Sequence, residues 1–160
     1  MIVTSATVES PASSDESVIS LNGEPILAIT YPSDWKLSKG EHAITATSAD
    51  GQVWSALSTL KGAQEKQAAV DKIKGELSKY LQDIQYDQLT QTKGGALILT
   101  GTGTGKKAGA EVVFAAGVFD AAPQQLAGLA FLADKSVEDH YKETVRCICQ
   151  TIRTQHDLAR

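Results

Sequence analysis

The stretch Glu111-Val-Val-Phe-Ala-Ala-Gly-Val-Phe119 decides the fold. Apolar side chains fill both of its alternating faces: Val112, Phe114, Ala116 and Val118 on one, and Val113, Ala115 and Phe119 on the other. Successive side chains of a β-strand point to opposite sides of the sheet. A strand that is apolar on both sides is therefore predicted to be covered on both sides.

The flanking sequence, within Gly94–Ala133, repeats this pattern. We predict three strands, Ala96–Thr102, Ala110–Phe119 and Gln124–Leu132. The segments between them are short and polar, which is typical of hairpins, whereas parallel strands need a long crossover. This region therefore predicts an antiparallel sheet with further layers packed on it.

Two more hairpins are predicted upstream. Their strands are Val18–Leu21 with Pro25–Tyr31, and Glu41–Thr47 with Gln52–Leu60. The turn pairs Asn22-Gly23 and Asp50-Gly51 favour the tight turns that close such hairpins.

Two amphipathic helices are also predicted, over Gln64–Leu81 and Ser136–Thr154. Apolar residues recur at helical spacing in both: Val70, Ile73, Leu77, Leu81 and Ile84 in the first, Tyr141, Val145, Ile148 and Ile152 in the second. Ser136 and Asp139 have the spacing of a capping box at the second helix start. A weaker strand, Gln85–Thr92, follows the first helix.

The length of 160 residues indicates one domain, which we place at 18–155, between a lead or linker over 1–17 and a frayed tail over 156–160. The formal charge of −4 argues against nucleic acid as the partner, because phosphate binding needs a concentrated basic surface. No apolar run approaches the roughly 20 residues that span a bilayer.

The lead is rich in Ser, Thr, Ala and Pro and contains no Lys or Arg. It lacks the basic and apolar regions of a signal peptide, and it is typical of a disordered linker. Such segments often join a domain to a signal or an anchor. We therefore expect membrane contact only through an N-terminal anchor, and the composition favours an extracytoplasmic bacterial location over a cytosolic one.

The glycine-rich stretch Gly101–Lys107 departs from a phosphate-binding loop. A Walker A motif needs Ser or Thr where Lys107 stands, and a helix must follow, whereas a strand is predicted here. We interpret the stretch as a flexible hairpin tip, with a basic contact patch at Lys106 and Lys107 as the alternative.

The remaining chemistry-bearing residues form no recognised motif. Cys147 and Cys149 are two positions apart on a helix, so their thiols point away from each other. His140, Glu143 and Cys147 share a helix face but lack companion ligands elsewhere in the sequence. We therefore predict no catalytic residues, no metal and no cofactor, and expect that the protein is not an enzyme.

The order of elements resembles the PsbP/Mog1-like superfamily, which includes bacterial domains of unknown function. The resemblance lies in Ile29-Thr-Tyr-Pro-Ser-Asp-Trp35, in the Ser48-Ala-Asp-Gly51 turn, and in Tyr141, Val145 and Ile148 leading into Thr151-Ile-Arg153. It implies an α+β fold, an antiparallel sheet of about six or more strands flanked by helices in an α/β/α sandwich. Members are chiefly non-enzymatic, which implies a binding or assembly role here.

Two hypotheses of function follow, each with its candidate residues. The first is a non-catalytic domain that binds another protein, with Trp35, Lys106 and Lys107 as contact residues, although Trp35 is first expected to cover the sheet edge. The second is a small-molecule or lipid carrier with a cleft between sheet and helix lined by Trp54, Tyr80 and Phe114. A third, weaker hypothesis is a hydrolase or metal site assembled from residues distant in sequence.

Overall fold

The computed structural model describes residues 16–60, 65–107 and 109–158, and this part of the chain forms two antiparallel sheets and three helices. The strands are β1 Glu16–Leu21, β2 Glu24–Thr30, β3 Lys36–Lys39, β4 Ala43–Thr47, β5 Val53–Thr59, β6 Leu81–Tyr86, β7 Thr90–Gln91, β8 Leu97–Gly105, β9 Glu111–Ala122, β10 Gln125–Asp134 and β11 Arg153–Thr154. The helices are α1 Lys66–Tyr80, α2 Glu138–Gln150 and α3 Gln155–Leu158, and a 3₁₀ turn, Lys135–Val137, precedes α2.

The larger sheet has eight strands in the order β3-β4-β5-β10-β9-β8-β6, with β7 also paired to β8. The smaller sheet has the order β1-β2-β11. The predicted antiparallel meander is confirmed as β8, β9 and β10. Leu132 of β10 lies opposite both Phe114 of β9 and Trp54 of β5, so these three residues share one face of the sheet.

Each face of the larger sheet is covered by a different layer, which confirms the α+β sandwich. Helix α1 covers one face, which we call the α1 face, around the cluster Val70, Leu77, Leu99, Val118 and Leu126. Helix α2 and the smaller sheet cover the opposite face, which we call the α2 face, around Ile29, Ile44, Leu57, Phe131 and Ile148. Burial on both sides explains why β9 is apolar at nearly every position.

The glycine-rich stretch differs from the expected flexible tip, because Gly101 and Gly105 both belong to strand β8, and of this stretch Lys106 and Lys107 lie in the turn. The reason is that the stretch pairs with β9, where Gly101 lies opposite Phe114. A Cβ at Gly101 would lie 2.6 Å from the ring of Phe114, so only glycine fits against that side chain.

The first predicted helix ends at Tyr80, and Leu81 begins β6 without an intervening loop. Ile84 therefore lies in a strand rather than on the helix stripe. The predicted strand over 85–92 divides into the end of β6 and the two residues of β7. The short strands β3 and β11 had no counterpart in the sequence prediction.

The predicted capping box at the start of α2 is not formed. Asp134 accepts hydrogen bonds from the Ser136 amide at 3.0 Å and from the Ser136 hydroxyl at 2.7 Å, which caps the 3₁₀ turn, whereas Val137 at the start of α2 makes no side-chain capping hydrogen bond. The helix ends at Gln150, four residues earlier than the predicted Thr154.

Both predicted domain boundaries differ from the strands and helices. Glu16 and Ser17 belong to β1, and Gln155–Leu158 forms helix α3 where a frayed tail was expected to begin at His156. The rest of the predicted lead, and residues 159–160, lie outside the described residues.

Candidate functional site

A groove of about 360 Å³ lies between α1 and the strands beside it on the α1 face. Its floor consists of small and apolar side chains from β5 and β10: Ala56, Ser58, Ala130 and Leu132. Ile73 and Leu77 of α1 form one wall. The groove exists because α1 packs over β8, β9 and β10, and the neighbouring strand β5 lies beyond the width of one helix.

An aromatic pair closes one end of this groove. The rings of Trp54 on β5 and Tyr80 at the end of α1 are 6.4 Å apart between centroids. Trp54 is 37% exposed and Tyr80 58% exposed, so both rings present apolar surface to solvent. We call this surface, from the floor to the two rings, the aromatic groove. The structure thus brings together two of the three residues that the cleft hypothesis named.

Phe114, the third of those residues, lies outside the aromatic groove. Its ring packs against Gly101 and meets the ring of Tyr86 at 5.8 Å, and the residue is buried. Phe114 belongs to the same buried cluster as Val70 and Leu77 of α1, but it does not line the groove. Strand β10 lies between Phe114 on β9 and the groove edge at β5, and this order was not evident from the sequence because β5 and β10 are far apart in the chain.

Lys106 and Lys107 are exposed and lie in the connection between β8 and β9, and we call these two residues the basic tip. The Lys106 amide donates a hydrogen bond to the Tyr80 carbonyl at 3.0 Å. This bond places the basic tip directly beside the end of α1, next to the aromatic pair. Sequence reasoning had assigned these lysines and the two aromatic residues to different hypotheses, and the fold places them at one corner.

Trp35, in contrast, is only 7% exposed and lies in the core. It stacks on Tyr31 at 5.7 Å and meets the edge of Tyr141 at 6.3 Å. Its indole is therefore not available as a contact surface, because it packs within the core. The Tyr31 hydroxyl forms a buried hydrogen bond with the Ser55 hydroxyl at 2.9 Å. Burial raises the pKa of Tyr31 to about 12, although the Ser55 hydrogen bond opposes this shift.

The Ser48–Gly51 turn connects this core to α2. Hydrogen bonds from the Ser48 hydroxyl, from Tyr141 and from the Gln52 amide lower the pKa of Asp50. The Ser48 hydroxyl also accepts from the amides of Gln52 at 3.1 Å and Val53 at 3.0 Å. These bonds satisfy the turn's own polar groups, so we assign Asp50 a structural role.

Two charged side chains of the aromatic groove were missed by sequence reasoning, Lys72 and Glu76 of α1. They are four residues apart, so helical spacing alone places them on one side of the helix. Glu76 forms an ion pair with Lys79 at 2.6 Å.

A second groove, of about 470 Å³, lies on the α2 face. Thr100, Val113 and Ala133 contribute to its lining, together with Asp87 and with charged side chains from the 3₁₀ turn and α2. Lys135 approaches Glu138 at 3.7 Å, and Asp87 accepts a hydrogen bond from Thr100 at 3.1 Å. Most of the charged side chains of this groove are therefore paired with other groups of the protein.

Among residues 16–60, 65–107 and 109–158, no group of three or more His, Cys, Asp and Glu side chains lies close enough to hold a metal ion. Glu143 accepts a hydrogen bond from Arg146 at 3.1 Å instead of facing a ligand. Cys147 and Cys149 are both unpaired thiols, and burial raises the pKa of Cys149. No helix in the described part of the chain is long and apolar enough to cross a bilayer.

Three solved structures resemble this arrangement. Mog1p, a Ran-binding protein of Saccharomyces cerevisiae, matches with a TM-score of 0.59 at 8% identity, over 89% of this chain and 97% of that chain. The PsbP protein CyanoP of Synechocystis sp. PCC 6803 matches with a TM-score of 0.56 at 9% identity, over 91% and 94% of the two chains. LpqN of Mycobacterium tuberculosis, involved in cell envelope biogenesis, matches with a TM-score of 0.50 at 18% identity, over 86% and 89%.

These matches show that the chain has a Mog1/PsbP-like fold, as the resemblance in the sequence implied. Identities this low establish the fold alone. No protein-family model matches the chain, and no curated protein matches it in sequence.

Proposed function

We propose that this protein is a non-catalytic domain that binds a segment of another protein in the aromatic groove. The single observation that carries the proposal is the exposure of Trp54 and Tyr80 beside an apolar floor. Large aromatic side chains are enriched at protein interfaces, because they bury much apolar area and lose little side-chain entropy. The similarity of the fold to a Ran-binding protein supports a protein as the bound species.

The shape of the groove favours a protein segment over a small carried molecule. Carrier pockets enclose most of the ligand surface. Here one wall is a single helix, and Tyr80 at the groove's end is more than half exposed. An extended or helical segment can lie along such an open groove and remain connected to its own protein at both ends.

We place this function outside the cytoplasm. The serine-rich lead supports this location, and one protein of similar fold, LpqN, is involved in cell envelope biogenesis.

Quantitative affinity capture from extracts of the source cells tests the proposal when groove variants are compared with a matched control. The groove variant is the double substitution Trp54→Ala and Tyr80→Ala. The control is Val18→Ala on β1, which removes an exposed apolar side chain (44% exposed) from the smaller sheet. We expect one protein to be captured by the wild type and by the control but lost with the groove variant, and the purified pair to bind directly.

Equal capture of that protein by all three forms would contradict the groove assignment. Native mass spectrometry of the wild type then tests the alternative, in which the groove carries a small molecule or a lipid. A retained small molecule or lipid that the groove variant releases would replace protein binding with the carrier hypothesis.

A further inference from the structure

We infer that the segment bound in the aromatic groove is acidic, with Asp or Glu side chains flanking an apolar anchor residue. This inference rests on the proposed function and adds the chemistry of the partner. The anchor would bury itself between the aromatic pair and the floor of the groove, and the carboxylates would meet the basic tip.

The first support is the position of the basic tip. The hydrogen bond from the Lys106 amide to the Tyr80 carbonyl fixes the β8–β9 turn against the last residue of α1. Because this contact joins two backbones, the two lysines remain beside the aromatic pair whatever rotamers their side chains adopt. Their flexible stems can then reach a carboxylate on a segment that leaves the groove at this end.

The second support is the charge at this corner. Among the described residues, neither Lys106 nor Lys107 has a carboxylate within ion-pair distance. Glu76, the acidic residue that lines the groove, is neutralised by Lys79. The corner therefore has a positive charge, although the whole chain has a formal charge of −4.

Two acidic residues of the strands beside the basic tip, Glu111 of β9 and Asp83 of β6, lie on the other side of the sheet. Glu111 pairs with Thr104, which alternates with the glycines that face α1, and Asp83 lines the same shallow surface as Thr104. These carboxylates therefore do not compete for the side of the tip that faces the groove. Complementary charge of this kind steers a partner to its site and sets its orientation more than it raises affinity.

Selection from a displayed library of random dodecapeptides on the immobilised full chain tests the inference. We expect the enriched peptides to combine Asp or Glu with Trp, Phe or Leu. Synthetic copies are then titrated by fluorescence anisotropy against Trp54→Ala, against Lys106→Glu with Lys107→Glu, and against a control, Lys93→Glu with Lys142→Glu. The control makes the same change in net charge at two exposed lysines away from the groove.

The expected result is that Trp54→Ala abolishes binding, the tip variant weakens binding about tenfold, and the control leaves affinity within about twofold of the wild type. The effect of the tip variant should also shrink as salt is raised, because exposed charges are screened.

Two other outcomes have separate meanings. If enriched peptides are neutral or basic, or if the tip and control variants behave alike while Trp54→Ala still abolishes binding, then the acidic chemistry is overturned and the groove remains. If no peptide is enriched above background, or if enriched peptides bind Trp54→Ala as well as the wild type, then the inference fails together with the proposed groove.

Discussion

Two aromatic clusters of similar composition lie on opposite faces of the larger sheet. Tyr31, Trp35 and Tyr141 form the cluster on the α2 face, where Trp35 is 7% exposed and the Tyr31 hydroxyl is hydrogen bonded to Ser55. Trp54 and Tyr80 form the pair on the α1 face, where both rings are accessible.

This comparison shows that residue type alone does not distinguish an aromatic side chain that stabilises the fold from one that is available to bind a partner. The separating features are burial and the satisfaction of polar atoms. A fully packed ring stabilises the folded state by its contacts, and removing it leaves a cavity. An exposed ring contributes less to folding, and its apolar surface remains available for a partner.

The largest expected effect is on stability at the buried cluster. Trp35→Ala should lower the free energy of unfolding by about 3–5 kcal/mol, because it removes a ring packed between two tyrosines. Trp54→Ala should lower it by less than about 1.5 kcal/mol, since part of that ring is already in water. Urea denaturation of both variants measures the comparison. Equal losses would show that the Trp54 ring is a structural part of the α1 face.

The next effect is a loss of stability in alkali that depends on Tyr31. Below pH 10.0 the tyrosine keeps its proton in both states, so its contribution is fully present. Between pH 10.0 and about 12 the unfolded chain loses the proton while the folded protein keeps it, so stability is lost as the pH rises through the folded pKa. The raised pKa of Tyr31 corresponds to a loss of about 2–3 kcal/mol in the free energy of unfolding across this pH range.

Tyr31→Phe isolates this contribution, because phenylalanine cannot titrate. Denaturation of wild type and variant at a series of alkaline pH values should show a steeper decline for the wild type. Parallel curves would mean that the Tyr31 hydroxyl is not held in a buried environment.

A smaller effect is expected at the turn that connects the buried cluster to α2. Ser48→Ala should lower the free energy of unfolding by about 1–2 kcal/mol, because the buried amide of Val53 loses its side-chain acceptor. Ser58→Ala is the matched control, since this serine lies on the floor of the aromatic groove. Ser58→Ala should lower the free energy of unfolding by less than about 0.5 kcal/mol. If Ser58→Ala lowers the free energy of unfolding more than Ser48→Ala does, then the groove floor is structural and the Ser48 turn is not.

The smallest effect is spectroscopic. The chain contains two tryptophans, so Trp35→Phe leaves Trp54 as the only indole, and Trp54→Phe leaves Trp35. Acrylamide should quench the fluorescence of Trp54 more strongly than that of Trp35, and a bound peptide should protect Trp54 alone. Equal quenching of the two single-tryptophan proteins would mean that Trp54 is no more accessible than Trp35, which contradicts the proposed binding site.

Local pattern was sufficient for most of the fold. Alternation over 111–119 predicted a strand covered on both sides, and Asn22-Gly23 predicted a tight turn, at which the φ angles are 53° and 83°. The predictions that were wrong concern positions where a distant residue decides the outcome. Gly101 lies in a strand because β8 pairs with β9, which brings Phe114 opposite it, and Leu81 leaves the predicted helix because it pairs with Gly105 of β8.

By itself, the sequence determined the antiparallel meander, the hairpins, the two amphipathic helices and the two-sided burial of the sheet, because each depends on residues within a few positions of one another. Only the tertiary structure decided which tryptophan is buried and which is exposed, and only the fold joined Trp54, Tyr80 and the basic tip. Those three features come from β5, α1 and the β8–β9 turn, and they meet because β5 pairs with β10 and the tip hydrogen bonds to the end of α1. Pairing between elements far apart in the chain leaves no periodic signal in the sequence, so the candidate site became visible only once the chain was folded.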